Sequence, residues 1–169
     1  MSVRPFLLTL AALLLAGSGV FAADTPPIVH KGSGLPIPRF AALRSDEVNV
    51  RAGPGTRYPI DWVFKRKLMP VEIVAEYENY RKIRDWQGAS GWVHQSLLTG
   101  KRGFVVASKE ADVYRTPAPS AEVVAKLEPE VMGEIRSCQG DWCRISAPGV
   151  SGWVTRTEIW GVYKSEPIN

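Results

Sequence analysis

From residue 40 onward, apolar and polar positions alternate in short runs broken by glycine, proline and clustered charge. Period-two alternation over so few residues is the mark of half-buried strands, and no sustained helix-period run competes with it. The pattern predicts strands over 40–51, 62–65, 71–77, 80–86 and 91–93, a long irregular loop over 52–61 and a helical turn over 95–98. Val71, Ile73 and Ala75 alternate against Glu72 and Glu76, and Glu78-Asn79 separates this run from the next as a hairpin turn. Further strands are predicted over 104–107, 111–114, 123–127, 131–137, 142–146 and 151–155. The fold class is all-β.

The two sets of strands are copies of one unit. In 48–56, VNVRAGPGT, strand chemistry gives way to turn chemistry, and Gly53, Pro54 and Gly55 are expected to supply special backbone angles that end the strand. Val50 and Pro54 fall on Val113 and Pro117 of a degenerate copy in which Arg115-Thr116-Pro117 replaces the glycine-bearing run. Tyr80 and Ile83 correspond to Trp142 and Ile145, 62 residues on, and Gly91-Trp92-Val93 to Gly152-Trp153-Val154, 61 on. The units are placed at 39–102 and 103–166. Each is about the smallest size at which a barrel folds alone, so the two should lean on one another, with Trp160 and Tyr163 covering an edge or the seam.

Composition changes the picture at the N-terminus. Arg4 precedes an apolar run over 6–16, and small residues follow up to Ala22 and Ala23. This reads as a secretory signal peptide over 1–22, since a membrane span needs roughly 20 apolar residues. Residues 23–38 have linker composition, with Pro26, Pro27, Gly32, Gly34, Pro36 and Pro38, and are expected to be extended and without a fold. His30 is a solvated linker histidine on this reading. The mature protein is expected in the periplasm or secreted, with no stable membrane insertion once the signal is cleaved.

Charge and cysteine sharpen the division. The net +4 hides an excess of five positive charges in 39–102 and of two negative charges in 103–169, so the first unit is the one suited to an acidic partner. The two cysteines, Cys138 and Cys143, flank Gln139, Gly140, Asp141 and Trp142. With Gly140-Asp141 as a two-residue hairpin turn, the cysteines occupy a non-hydrogen-bonded cross-strand pair whose Cα atoms are about 4.5 Å apart, within reach of a disulfide. Export favours oxidation, and the five-residue spacing fits neither a zinc pair nor a thioredoxin-type motif.

These stretches carry a resemblance. VNVRAGPGT, the central hairpin and the closing Gly91-Trp92-Val93 resemble the bacterial SH3-like domain. The stretches 70–76, 91–98 and 159–163 are similar to an exported, two-repeat subfamily typical of proteobacteria. The resemblance covers 39 to about 166 and implies two tandem SH3-like small β-barrels of five or so strands each. It also implies a binding module, since members in several cases bind cell-wall peptides beside a hydrolase domain.

The residues available for chemistry point the same way. With one histidine in the linker and His94 after a closing strand, a nucleophile–histidine arrangement has little to work with, and Asp46-Glu47, adjacent on a strand, point to opposite faces. No catalytic residue, metal site or cofactor is expected. Binding is expected in the first unit through Arg51, Arg57, Tyr58, Trp62, Tyr80 and Trp86, aromatic faces interleaved with cations around the 52–61 loop. The expected partner is a cell-wall peptide or an envelope protein segment, and nucleic acid is not expected for an exported chain. Trp92 and Trp153 are assigned to the core. The competing reading is a structural or assembly factor whose aromatic surface is buried between the repeats or in an oligomer.

Overall fold

The computed structural model describes residues 32–107 and 109–169, so the signal-peptide reading and the first part of the linker lie outside the described residues. Within them the chain forms two seven-stranded antiparallel sheets with one topology used twice. The first contains β1 (Arg39–Leu43), β2 (Val48–Arg51), β3 (Ile60–Phe64), β4 (Pro70–Tyr77), β5 (Tyr80–Arg84), β6 (Ser90–His94) and β7 (Leu98–Thr99), in the order β3-β2-β6-β5-β4-β1-β7. The second contains β8 (Gly103–Val106), β9 (Ala111–Tyr114), β10 (Val123–Leu127), β11 (Met132–Gln139), β12 (Trp142–Ala147), β13 (Val150–Thr155) and β14 (Ile159–Trp160), in the order β10-β9-β13-β12-β11-β8-β14. Each sheet curls around its own core. Val48, Val50, Val71, Ile83 and Val93 fill the first, and Val113, Ile145, Val154, Phe104 and the cystine fill the second. Among the described residues no helix is long and apolar enough to cross a membrane.

The expected strand over 40–51 is two strands. Ala41, Ala42 and Leu43 are buried as a continuous run, Arg44, Asp46 and Glu47 are exposed, and burial resumes at Val48. The charged tetrapeptide turns the corner of the barrel, so β1 pairs with β4 and β7 while β2 pairs with β3 and β6. The two-residue strands β7 and β14 are too short to show an alternation and went unseen in the pattern. The linker expectation also needs correction at its end. Ser33 donates to Glu76 through its backbone N–H (2.6 Å) and its Oγ (2.8 Å), and Arg39 donates to the same carboxylate (2.5 Å), so the last linker residues are strapped to β4.

The hairpin β11–β12 turns at Gly140, whose φ of 53° lies in the left-handed region. Gln139 opposes Trp142 and Cys138 opposes Cys143. The cysteines are bonded, with Cα atoms 4.0 Å apart. The backbone N–H of Cys138 points away from β12, donating to the Ile168 carbonyl (2.8 Å), which identifies the cysteines as the non-hydrogen-bonded pair.

The two units meet through aromatic and ionic contacts. Phe40 of β1 packs edge-on against Trp160 (4.8 Å between centroids) and tilted against Tyr163 (4.6 Å). Arg102 donates to the Phe40 carbonyl (2.6 Å) and pairs with Glu166. The Tyr163 hydroxyl donates to Glu72 of β4 (2.7 Å), whose other oxygen is held by Arg84. Burial first, and then this bond to Glu72, raise the Tyr163 phenol well above its ordinary range.

Candidate binding face

The 52–59 loop owes its shape to side chains rather than to unusual glycine angles. Gly53 and Gly55 do not have positive φ, against the sequence expectation. A Cβ on Gly53 would lie 2.4 Å from the Tyr58 ring, so the glycine makes room for an aromatic ring folded beneath the loop. Arg51 braces the same loop, its Nη1 donating to the Tyr58 carbonyl (2.8 Å) and the Thr56 carbonyl (3.3 Å). Arg57 stands over the Tyr58 ring at 5.3 Å, and its hydrogen bond with Tyr58 moves its pKa up from the ordinary arginine value.

Strand register then assembles a face. Arg51 of β2 opposes Trp92 of β6, which opposes Lys82 of β5, and two pairs further along, on the same face, Tyr80 opposes His94. Tyr80 and His94 are in edge-on contact at 5.3 Å. Side chains along a strand alternate between faces, and the inward positions here belong to Val50, Ile83, Gly91 and Val93. The row Arg51, Trp92, Lys82 with the pair Tyr80 and His94 therefore faces outward. A shallow cleft of about 280 Å³ opens beside Arg51, Tyr80 and His94, lined also by Asn49, Thr56, Ser96 and Leu97; Trp92 and Lys82 lie outside its lining. His94 is positioned by Ser96, whose Oγ lies 2.7 Å and whose N–H lies 3.3 Å from Nδ1. A second hollow of about 360 Å³ lies on the other side of Thr56, with Arg57, Tyr77 and Glu78 on its walls. The loop tip divides the two.

Of the six residues named from sequence, Arg51, Arg57, Tyr58 and Tyr80 gather at this loop and face. Trp62 and Trp86 do not join them. Both are half-buried against the first core, and Trp62 meets Phe64 edge-on at 6.0 Å. Trp92 and Trp153, assigned to the core, are half-buried on the outer face instead. The reason is steric. A Cβ on Gly91 would come within 2.4 Å of Val50 and one on Gly152 within 2.5 Å of Val113, so the glycines occupy the tight inward slots and alternation turns the tryptophans out. The inward glycine and valine on either side of each tryptophan already carried that signal. Lys82 and His94 were missed for a different reason, since only the register of three strands brings them beside Arg51.

The second unit presents the equivalent face with different residues. Tyr114 stands where Arg51 does and opposes Trp153, which opposes Arg144. Trp142 takes the place of Tyr80 and meets Tyr114 edge-on at 5.1 Å. Among the described residues, no cluster of histidine, cysteine, aspartate and glutamate is arranged to hold a metal ion.

A family model described as bacterial SH3 domain matches residues 44–100 and 107–161, one match per unit. The Bacillus subtilis protein YrvJ, named as an N-acetylmuramoyl-L-alanine amidase, is 29% identical over 126 residues, covering 68% of this chain but 24% of its own length. The chain thus spans about a quarter of that curated relative. The solved structure of NlpC2 from Trichomonas vaginalis is 13% identical and matches 76% of this chain and 50% of that one, with a TM-score of 0.36. An NlpC/P60 family protein from Bacillus cereus is 12% identical and matches 72% of this chain and 55% of that one, with a TM-score of 0.33.

Proposed function

The chain belongs to the bacterial SH3 domain family, and from that premise we propose that it is a non-catalytic, exported binding module that recognises a cell-wall peptide or an envelope protein segment through its first unit. The observation that carries this reading is the outward row Arg51, Trp92 and Lys82 beside Tyr80 and His94, which sets cations next to aromatic faces, with a shallow cleft bordered by Arg51, Tyr80 and His94. Such a surface suits an extended ligand with carboxylates and apolar patches, gripped by charge-assisted bonds and ring contacts. The first unit is favoured over the second because the position of Arg51 is taken there by Tyr114 and the surrounding chain is acidic. The match to a protein named as an amidase agrees with a wall-directed role for the shared portion.

The test is retention on purified cell-wall fragments, run beside a pull-down from envelope extract. The chain should hold fragments or a specific protein, and Tyr80→Ala together with Lys82→Ala should reduce retention at least tenfold. Binding of neither fragments nor a specific protein would sink the proposal.

A further inference from the structure

A second cleft, of about 530 Å³, lies away from the Arg51 face, where the N-terminal strap, β1, β7 and the end of the second unit at Glu166 converge. Four arginines line it, Arg39, Arg44, Arg81 and Arg102. Arg39 and Arg81 share one carboxylate, Glu76, at 2.5 Å and 3.1 Å. Arg102 is paired with Glu166. Among the described residues Arg44 has no carboxylate partner, and its Nε donates to the Leu98 carbonyl at 3.2 Å. Four guanidinium groups thus line one cleft with two carboxylates to balance them, which leaves a net positive charge suited to an anionic ligand. Between the charges the lining is apolar, with Phe40, Ile73 and Leu98, and Leu35 of the strap stands at the rim 58% exposed. Thr99 and Gly100 also border the cleft, while the outward backbone groups of β7 are already engaged, the Leu98 carbonyl by Arg44 and the Leu98 N–H by the Gln95 carbonyl.

We propose that this cleft is a binding site for an acidic peptide, which sets carboxylates on Arg44 and its neighbouring guanidinium groups and rests an apolar side chain on Leu35. A planar guanidinium fork matches a carboxylate in two parallel bonds, and the apolar lining between the charges receives the peptide's apolar side chain. The site uses none of the residues of the Arg51 face, so the two stand or fall separately.

The experiment is a fluorescence-anisotropy titration of the purified chain with a short labelled peptide alternating glutamate and valine, beside its glutamine counterpart and inorganic tripolyphosphate. The acidic peptide should bind saturably, the glutamine peptide at least tenfold more weakly, and tripolyphosphate without saturation. Arg44→Glu and Leu35→Asp alter exposed side chains, so their thermal unfolding should stay near that of the parent while affinity falls at least tenfold. Arg44→Gln should lie between, and Arg115→Gln in the second unit should bind the peptide as the parent does. Absence of saturable binding overturns the proposal, as does affinity unchanged in Arg44→Glu, or tripolyphosphate binding as tightly as the peptide.

Discussion

Gly53 and Tyr58 form a pair whose logic the second unit makes visible. In the first loop the backbone N–H groups of Ala52, Gly55 and Tyr58 donate to the carbonyls of Pro59, Gly53 and Gly55. In the second, the N–H groups of Arg115, Ala118 and Ala121 donate to Glu122, Thr116 and Ala118, the same three bonds 63 residues on. The loop keeps its course with threonine in place of Gly53, because Ala121 in place of Tyr58 leaves room for a side chain. Glycine here answers to a ring and not to a torsion angle. Gly53→Ala should therefore cost about 1–3 kcal/mol through overpacking against Tyr58. Gly53→Ala combined with Tyr58→Ala should recover much of that cost in a double-mutant cycle read by urea unfolding. Additive losses would show that the backbone itself needs the glycine.

At the scale of single elements, the strap and the cystine hairpin each hang on one interaction. Burial alone would raise Glu76, but hydrogen bonds from Arg39 and Ser33 override it and hold the carboxyl down from its ordinary 4.5 to about 2. A carboxyl depressed in the folded state stabilises the fold in full above its unfolded value and loses that contribution as pH falls from 4.5 to about 2. The urea midpoint should decline across that window, and Glu76→Gln should flatten the decline while speeding amide exchange in the strap. In the hairpin, the Cys138–Cys143 bond closes a short loop, for which chain entropy gives roughly 2 kcal/mol. Reduction should lower the thermal midpoint of the second unit by several degrees, and alkylation of the unreduced chain should add no mass.

The whole molecule is joined by Phe40, Trp160, Tyr163, Glu72 and the Arg102–Glu166 pair. Units this small bury a modest share of their surface, so the seam matters to both. Tyr163→Phe removes the hydroxyl from a carboxylate that is 5% exposed and leaves Glu72 to Arg84 alone. The expected loss is about 1–3 kcal/mol, read as a lower urea midpoint with faster exchange in strands of both sheets. A loss confined to one sheet would mean that the seam does not couple them. The same contacts decide where aromatic surface is spent. The ring contacts across the seam are made by Phe40, Trp160 and Tyr163, which leaves the Tyr80 and Trp92 face open in the first unit.

Much of this architecture was legible in the chain as written. Period-two alternation, hairpin turns and the internal repeat are local properties, so the all-β class, the duplication and the Cys138–Cys143 pairing could be read from neighbours in sequence. The family resemblance rested on equally local motifs. The site was only partly legible, because Arg51, Trp92, Lys82, Tyr80 and His94 are brought together by cross-strand register, which no single stretch encodes. Trp62 and Trp92 show the limit most clearly. Both are tryptophans on strands, and packing against Val50 and Gly91 sends one toward the core and the other outward. The arginine cleft belongs wholly to the tertiary structure. Arg39, Arg44, Arg81 and Arg102 are scattered over more than sixty residues, and only the closing of the barrel against the second unit brings their charges to one place.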